Sequence, residues 1–297
     1  MRETMRETLW KLPDHAFVKE TVFRLAKEDP DVRAFSPGRS ALGRELLLLS
    51  IGKEENAVLL VGGTHAQEWI TVSLLLKFAA SVSGDRRLKE RLAEEGKGVM
   101  ILPSLNPDGV EIALHGTAAA GVCQKRVDEI RTAFPGKLWQ ANARGVDLNH
   151  NFDAGWETLR KMEEEAGIHG PAPTRYGGEA PFSEPETKAV RELISAVLPR
   201  RLYSFHAQGE EIYWEYDGRE IPGARQLAET LSRLSGYRLV QNEGLASHGG
   251  LKDWFIEAFR RPGFTMEVGK GENPLPFSQL SEIYDRLLPM MRAALLL

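Results

Sequence analysis

The chain of 297 residues carries a formal net charge of −4, with 42% hydrophobic and 27% charged side chains, the balance of an ordinary globular protein. Its slight acidity argues against a nucleic-acid partner, which favours a basic face, and no run approaches the ~18 apolar residues of a membrane span. Cys123 is the only cysteine, which excludes an internal disulfide framework and fits a reducing compartment. The opening MRETMRETLWKLPDH lacks the apolar segment of a secretory signal, so the expected location is cytoplasmic.

In chain order, residues 1–35 read as a helical lead-in through Phe17, Val22, Phe23 and Leu25, ending near Pro30. Aliphatic runs at 46–51 and 57–61 have strand length, and the polar 53–56 between them reads as a hairpin-like link. A helical pattern covers 69–83 and a solvated one 85–97, then 99–102 is a short strand closed by Pro103. Asn106-Pro107-Asp108-Gly109 is a turn signal, and from 114 to 142 the periodicity weakens toward irregular structure or short helices. A charged helix is predicted at 156–166 and a Gly- and Pro-rich loop at 167–183. Glu184-Pro185-Glu186 then opens a helix, with acidic residues where the helix dipole favours them. Strands at 201–205, 212–214 and 264–268 are interleaved with helices at 223–235, 251–259 and 277–297. With no break in composition, this alternation predicts one α/β domain over residues 1–297.

The run at 57–61 ends in Gly62-Gly63, and His65 and Glu68 follow three positions apart, on one face if a helical turn begins there. Open α/β sheets gather ligands at the carboxyl ends of their strands. The run at 201–205 ends in the same way, in His206. Two imidazoles and a carboxylate form the donor set of catalytic zinc, which leaves one position for water. A hydrolase of this kind also needs a carboxylate that is not a ligand, to carry the proton. Glu267 qualifies, because burial between Met266 and Val268 should raise its pKa. The stretch NARGVDLNHNF adds Arg144, suited to a substrate carboxylate or a developing oxyanion, with Asn149 and Asn151 as amide donors. Taken singly, each segment also reads as ordinary structure: a solvated pair, a core histidine, an edge-strand carboxylate, a loop packed on itself. Their joint occurrence is what points to a metal site.

Five segments occur in order: SALGRELLLLSIG, GGTHAQEW, LNPDGVE with ARGVDLNHNFDAGW, FSEPET with SFHAQG, and GGLKDW with FTMEVG. Together they resemble the zinc carboxypeptidase family of metallopeptidases. The resemblance implies a mixed, twisted eight-stranded sheet flanked by helices and one zinc ion held by His65, Glu68 and His206. It makes Glu267 the general base and Arg144 the oxyanion or carboxylate contact. His150 stands where digestive-type members carry the arginine that grips the substrate's C-terminal carboxylate. Their tyrosine before the GGLKDW segment has no counterpart; Leu245 falls there, with Ser247 and His248 close by.

The run TMEVGKGENP resembles the bacterial branch that splits the γ-D-glutamyl–meso-diaminopimelate bond of cell-wall peptides. Lys252 falls near the position lining the primed-side pocket of relatives, where a cation suits a side chain ending in a carboxylate. The function implied is a zinc-dependent peptidase acting on small murein-type peptides, with Asn149, His150 and Lys252 as substrate contacts. The alternatives are a conventional metallocarboxypeptidase or N-acyl amino acid deacylase, and a peptide-binding protein without turnover.

Overall fold

A computed structural model describes residues 11–219, 221–240 and 248–297. Its strands are β1 (Val32–Phe35), β2 (Leu48–Gly52), β3 (Ala57–Val61), β4 (Gly98–Leu102), β5 (Arg201–His206), β6 (Glu211–Tyr213), β7 (Arg238–Val240) and β8 (Gly263–Glu267). They form one sheet in the order β1-β2-β4-β3-β5-β8-β6-β7. The central β4, β3, β5 and β8 run parallel, and antiparallel pairings join β2 to β4 and β6 to β8. The helices are α1 (His15–Glu28), α2 (Ile70–Ser83), α3 (Arg86–Glu94), α4 (Pro107–His115) and α5 (Gln124–Ala133), followed by α6 (Trp156–Glu165), α7 (Pro185–Val197), α8 (Ala224–Ser235), α9 (Leu251–Phe259) and α10 (Leu280–Leu296). Among the described residues no helix is long and apolar enough to cross a membrane.

Parallel strands covered on both faces read as continuous aliphatic runs, and β3 and β4 are buried at every position. Successive side chains alternate between faces, so each strand feeds two cores. Val58, Leu60, Tyr203, Phe205, Phe264 and Met266 pack with α1, α2, α8 and α10 on one face. Ala57, Leu59, Val61 and Leu202 pack with α7 and α9 on the other. Ser204 and His206 on β5, with Thr265 and Glu267 in register on β8, alternate with that first set and so share the second face.

Several local expectations change. The lead-in holds helix α1 but then edge strand β1, which pairs with β2. Residues 53–56 do not close a hairpin: a 3-10 turn (Glu54–Asn56) carries the chain past β4, which lies between β2 and β3. The Asn106–Gly109 signal starts a helix, with Asn106 accepting the Gly109 N–H at 2.9 Å and Pro107 in the first turn. Asn as N-cap and Pro at N1 serve a helix start as readily as a turn. The weakly periodic stretch after α4 holds a 3-10 segment (Thr117–Cys123) and α5.

The first turn of α7 carries Glu186, an acid where the helix dipole favours one, but in the interior. Glu186 is fully buried; its Oε1 accepts the Ala41 N–H at 2.9 Å while Oε2 has no partner. Burial pushes its carboxyl up to about 8; the Ala41 amide opposes the shift, and the charges of Asp108 and Glu184 add to it. In the unfolded chain the group titrates near 4.5, so its contribution to stability is full below that pH and is lost as pH rises through about 8. Glu186→Gln is expected to match the parent near pH 5 and to exceed it near pH 9 by on the order of a few kcal/mol. Thermal midpoints at the two pH values test this, and a difference that stays constant between them would contradict it.

Candidate metal and active site

The route from β3 to the first ligands is set by two close approaches. A Cβ on Gly62 would lie 2.9 Å from Leu75 Cδ1 and from the Pro103 carbonyl, and one on Gly63, at φ +56°, would lie 2.6 Å from Val72 Cγ2. Only glycine fits between α2 and the exit of β4. The Gly63 N–H then donates to Thr71 Oγ1 at 2.9 Å, and the Thr71 hydroxyl to the Glu68 carbonyl at 2.8 Å, which ties the loop to α2. Residues Ala66–Glu68 form a 3-10 turn rather than the first turn of the α-helix. His65 is the N-cap of that turn and its carbonyl accepts the Glu68 N–H at 3.1 Å, which folds the two residues together and lets their side chains converge. His206 ends β5, Glu267 ends β8, and the two pair in parallel register.

His65 Nδ1 lies 3.0 Å from Glu68 Oε1, His206 Nδ1 lies 3.1 Å from Glu68 Oε2, and the two Nδ1 atoms are 3.3 Å apart. The outer ring nitrogens are engaged elsewhere: His65 Nε2 with Asp147 Oδ1 at 3.2 Å and His206 Nε2 with Ser204 Oγ at 3.1 Å. With Nε2 protonated and bonded outward, both Nδ1 lone pairs face the shared point, the arrangement that orients metal-bound histidines. Among the described residues this is the one cluster of His, Cys, Asp or Glu donors close enough together to hold a metal ion.

The electrostatics favour a cation at the same point. Burial lowers the His65 pKa, but the charges of Glu68 and Asp147 outweigh it and hold the imidazole well above its usual value. Burial raises Glu68, yet His65 and His206 bring it down to about 2. Asp147 is likewise buried and held well below the usual carboxylate range by His65 and His150. Glu267 moves the other way: burial pushes it well above its usual value, the charges of Glu68 and Glu211 add to the shift, and His65 opposes it. Two carboxylates are thus kept ionised beside a third that readily holds a proton.

A pocket of about 680 Å³ opens from this cluster, with His65, Gln67, Tyr213 and Glu267 among its lining residues. Asn149 and His150 also line it. The Asn149 side-chain Oδ1 accepts the Leu251 N–H at 3.2 Å, and His150 is buried with Nδ1 at 2.8 Å from the Arg175 carbonyl and 3.6 Å from Glu163. Lys252 is another lining residue, its ammonium donating to the Glu215 carbonyl at 2.6 Å and paired with Asp253 at 2.5 Å. Arg144 is half exposed, 3.6 Å from Glu184, and is not among the pocket's lining residues. Asn151 is not an amide donor to the pocket, because its side chain is spent on Gly177, Ala180, Ser183 and Thr187. His248 meets the Tyr216 hydroxyl at 3.2 Å, while Leu245 and Ser247 lie outside the described residues. Sequence reasoning assigned nothing to Asp147, Ser204, Tyr213 or Arg175. Only the i, i+2 spacing of Ser204 and His206 on a strand was a usable signal.

Replacing Glu68 or His206 by Ala is expected to abolish stoichiometric zinc binding. Asp147→Ala should weaken it by about 10–100-fold, measured by competition with a chelator; unchanged affinity would remove Asp147 from the site.

The sequence matches the zinc carboxypeptidase family over residues 18–289. It is 32% identical over 294 residues, 96% of this chain and 72% of the relative, to γ-D-glutamyl-L-diamino acid endopeptidase 1 of Lysinibacillus sphaericus. Bovine thrombin-activatable fibrinolysis inhibitor, in complex with a tick carboxypeptidase inhibitor, has the same fold with a TM-score of 0.73 at 20% identity, covering 97% of this chain and 98% of that one. Murein-tripeptide amidase MpaA of Escherichia coli O157 aligns with a TM-score of 0.56 at 23% identity, over 89% of this chain and 91% of its own. With the eight-stranded mixed sheet and the His–Glu–His cluster at its strand ends, this chain belongs to the zinc carboxypeptidase family of metallopeptidases.

Proposed function

We propose that the protein hydrolyses the amide bond between a γ-linked D-glutamyl residue and diaminopimelate in small murein-type peptides. The observation that carries this is the 32% identity to a γ-D-glutamyl-L-diamino acid endopeptidase along 96% of the chain. It is supported by a buried lysine among the pocket's lining residues and by the lack of an arginine at position 150.

In this reading His65, Glu68 and His206 hold one zinc ion, which supplies Lewis acidity toward the amide carbonyl and acidifies a water. Asp147 and Ser204 hold the two imidazoles in the tautomer that turns Nδ1 inward. Glu267 accepts the proton at its carboxylate and returns it to the departing amine, a task suited to a carboxyl whose pKa burial has raised. Arg144 is the contact for the developing oxyanion, exchanging its contact with Glu184 for the substrate. Lys252 has three donors, and the Glu215 carbonyl and Asp253 take two of them, which leaves one for a diaminopimelate carboxylate. His150, enclosed by Arg175 and Glu163, shapes the wall beside it. A cytoplasmic site of action on imported or recycled peptides belongs to the same reading, supported by the free thiol of Cys123.

The test is incubation of zinc-loaded protein with L-Ala-γ-D-Glu-meso-diaminopimelate, with products followed by mass spectrometry. Release of free diaminopimelate is expected; turnover of plain C-terminal peptides alone would point to conventional carboxypeptidase activity. Glu267→Gln should lower kcat by about 10²–10⁴-fold with zinc content unchanged, and full activity in that variant would remove Glu267 as the base.

A further inference from the structure

Arg175 lies in the Gly- and Pro-rich loop at 167–183, where no periodic pattern was read, and it is among the residues lining the pocket. Its backbone is held from both sides. The N–H donates to Asp147 Oδ2 at 2.9 Å, and the carbonyl faces His150 Nδ1 at 2.8 Å. Between these bonds the residue sits at φ 68°, a conformation that glycine adopts with less strain than any side chain bearing a Cβ. The position nevertheless carries the longest cationic side chain available.

The other cations near the site each face a carboxylate of the protein: Arg144 faces Glu184, Arg160 pairs with Glu163, and Lys252, with one donor left over, pairs with Asp253. The Arg175 guanidinium has neither an ion pair nor a hydrogen bond among the described residues, and the residue is exposed and lines the pocket. Lys137 lines the pocket too, but its backbone bonds only to Phe134 and has no tie to the metal ligands' partners. Arg175 is therefore a planar, permanently charged fork on a backbone fixed two hydrogen bonds from a zinc ligand. That combination suits bidentate capture of a carboxylate at a set distance from the reacting amide.

We propose that Arg175 is a specificity-determining cation of this pocket beside Lys252, gripping a second substrate carboxylate next to the scissile amide from the loop that packs on His150. The proposal rests on the peptidase reading above for the kind of ligand. Two carboxylates are within its chemistry: the α-carboxylate left free by a γ-linked D-glutamyl residue, and a carboxylate of the diamino acid.

Affinity measured by calorimetry in the zinc-loaded Glu267→Gln background separates binding from turnover. The probes are L-Ala-γ-D-Glu-meso-diaminopimelate and two analogues, one amidated at the D-glutamyl α-carboxylate and one at the diamino acid. Arg175→Ala should weaken the parent tripeptide by about 10–100-fold and barely affect the analogue whose amide replaces the gripped carboxylate, which identifies the group. Arg175→Lys should fall between, having charge without the fork. Arg175→Gly should lose the same affinity while its thermal midpoint holds or rises, because glycine relieves the positive φ; a merely structural arginine would lower it. Equal weakening for all three peptides, no weakening, or no measurable binding would overturn the proposal. Arg175-dependent binding without turnover in the parent enzyme would instead overturn the substrate reading and leave the clamp standing.

Discussion

The Asp147 carboxylate joins three parts of the molecule that no stretch of chain connects directly. Its Oδ1 meets His65 Nε2 at 3.2 Å and takes the Asn149 N–H at 3.1 Å, and its Oδ2 takes the Arg175 N–H at 2.9 Å. One buried acid thus aims a ligand at the end of the sheet, sets the turn that carries Asn149 and His150, and anchors the opposite wall of the pocket. A buried carboxylate is tolerable only when its lone pairs are met, and here both oxygens are. The neighbouring Asn142 does the same one turn earlier, accepting the N–H groups of Arg144 and Val146 and donating to Glu184 at 2.8 Å. The NARGVDLNHNF stretch is a loop packed on itself as well as a wall of the site.

Charge is distributed with the same economy. Glu68 and Asp147 are held ionised by imidazoles, while Glu267 and Glu186 are pushed toward the neutral form by burial. Chemically identical groups take opposite states because each has a different partner. At the site that contrast separates carboxylates that attract a cation from one able to shuttle a proton. At Glu186, remote from the chemistry, the same burial only makes stability depend on pH.

The central strands and the four residues His65, Glu68, His206 and Glu267 were legible because each lies at the end of an aliphatic run, and burial of both faces writes itself into the sequence as such a run. Edge strands β1 and β7 were not, since Val32–Phe35 and Arg238–Val240 are short and half solvated. The position of β4 between β2 and β3 was hidden as well, because strand order is a tertiary fact that no local pattern carries. Asp147 and Arg175 belong to the same class. Their contacts are with residues distant in sequence, His65 for Asp147 and Asp147 and His150 for Arg175, and Arg175 sits in a loop whose only pattern is an abundance of glycine and proline.

The sheet order also bears on when the metal site comes into being. β3, which delivers His65 and Glu68, pairs with β5 in the register Val58 to Arg201, and β5 in turn pairs with β8 through His206 and Glu267. Contacts between segments so far apart along the chain form late, because the loops between them must close first. The donor set spans residues 65 to 206 and needs β3 and β5 side by side. Its ligands are thus gathered by the sheet, in contrast to small zinc domains whose ligands are neighbours in sequence.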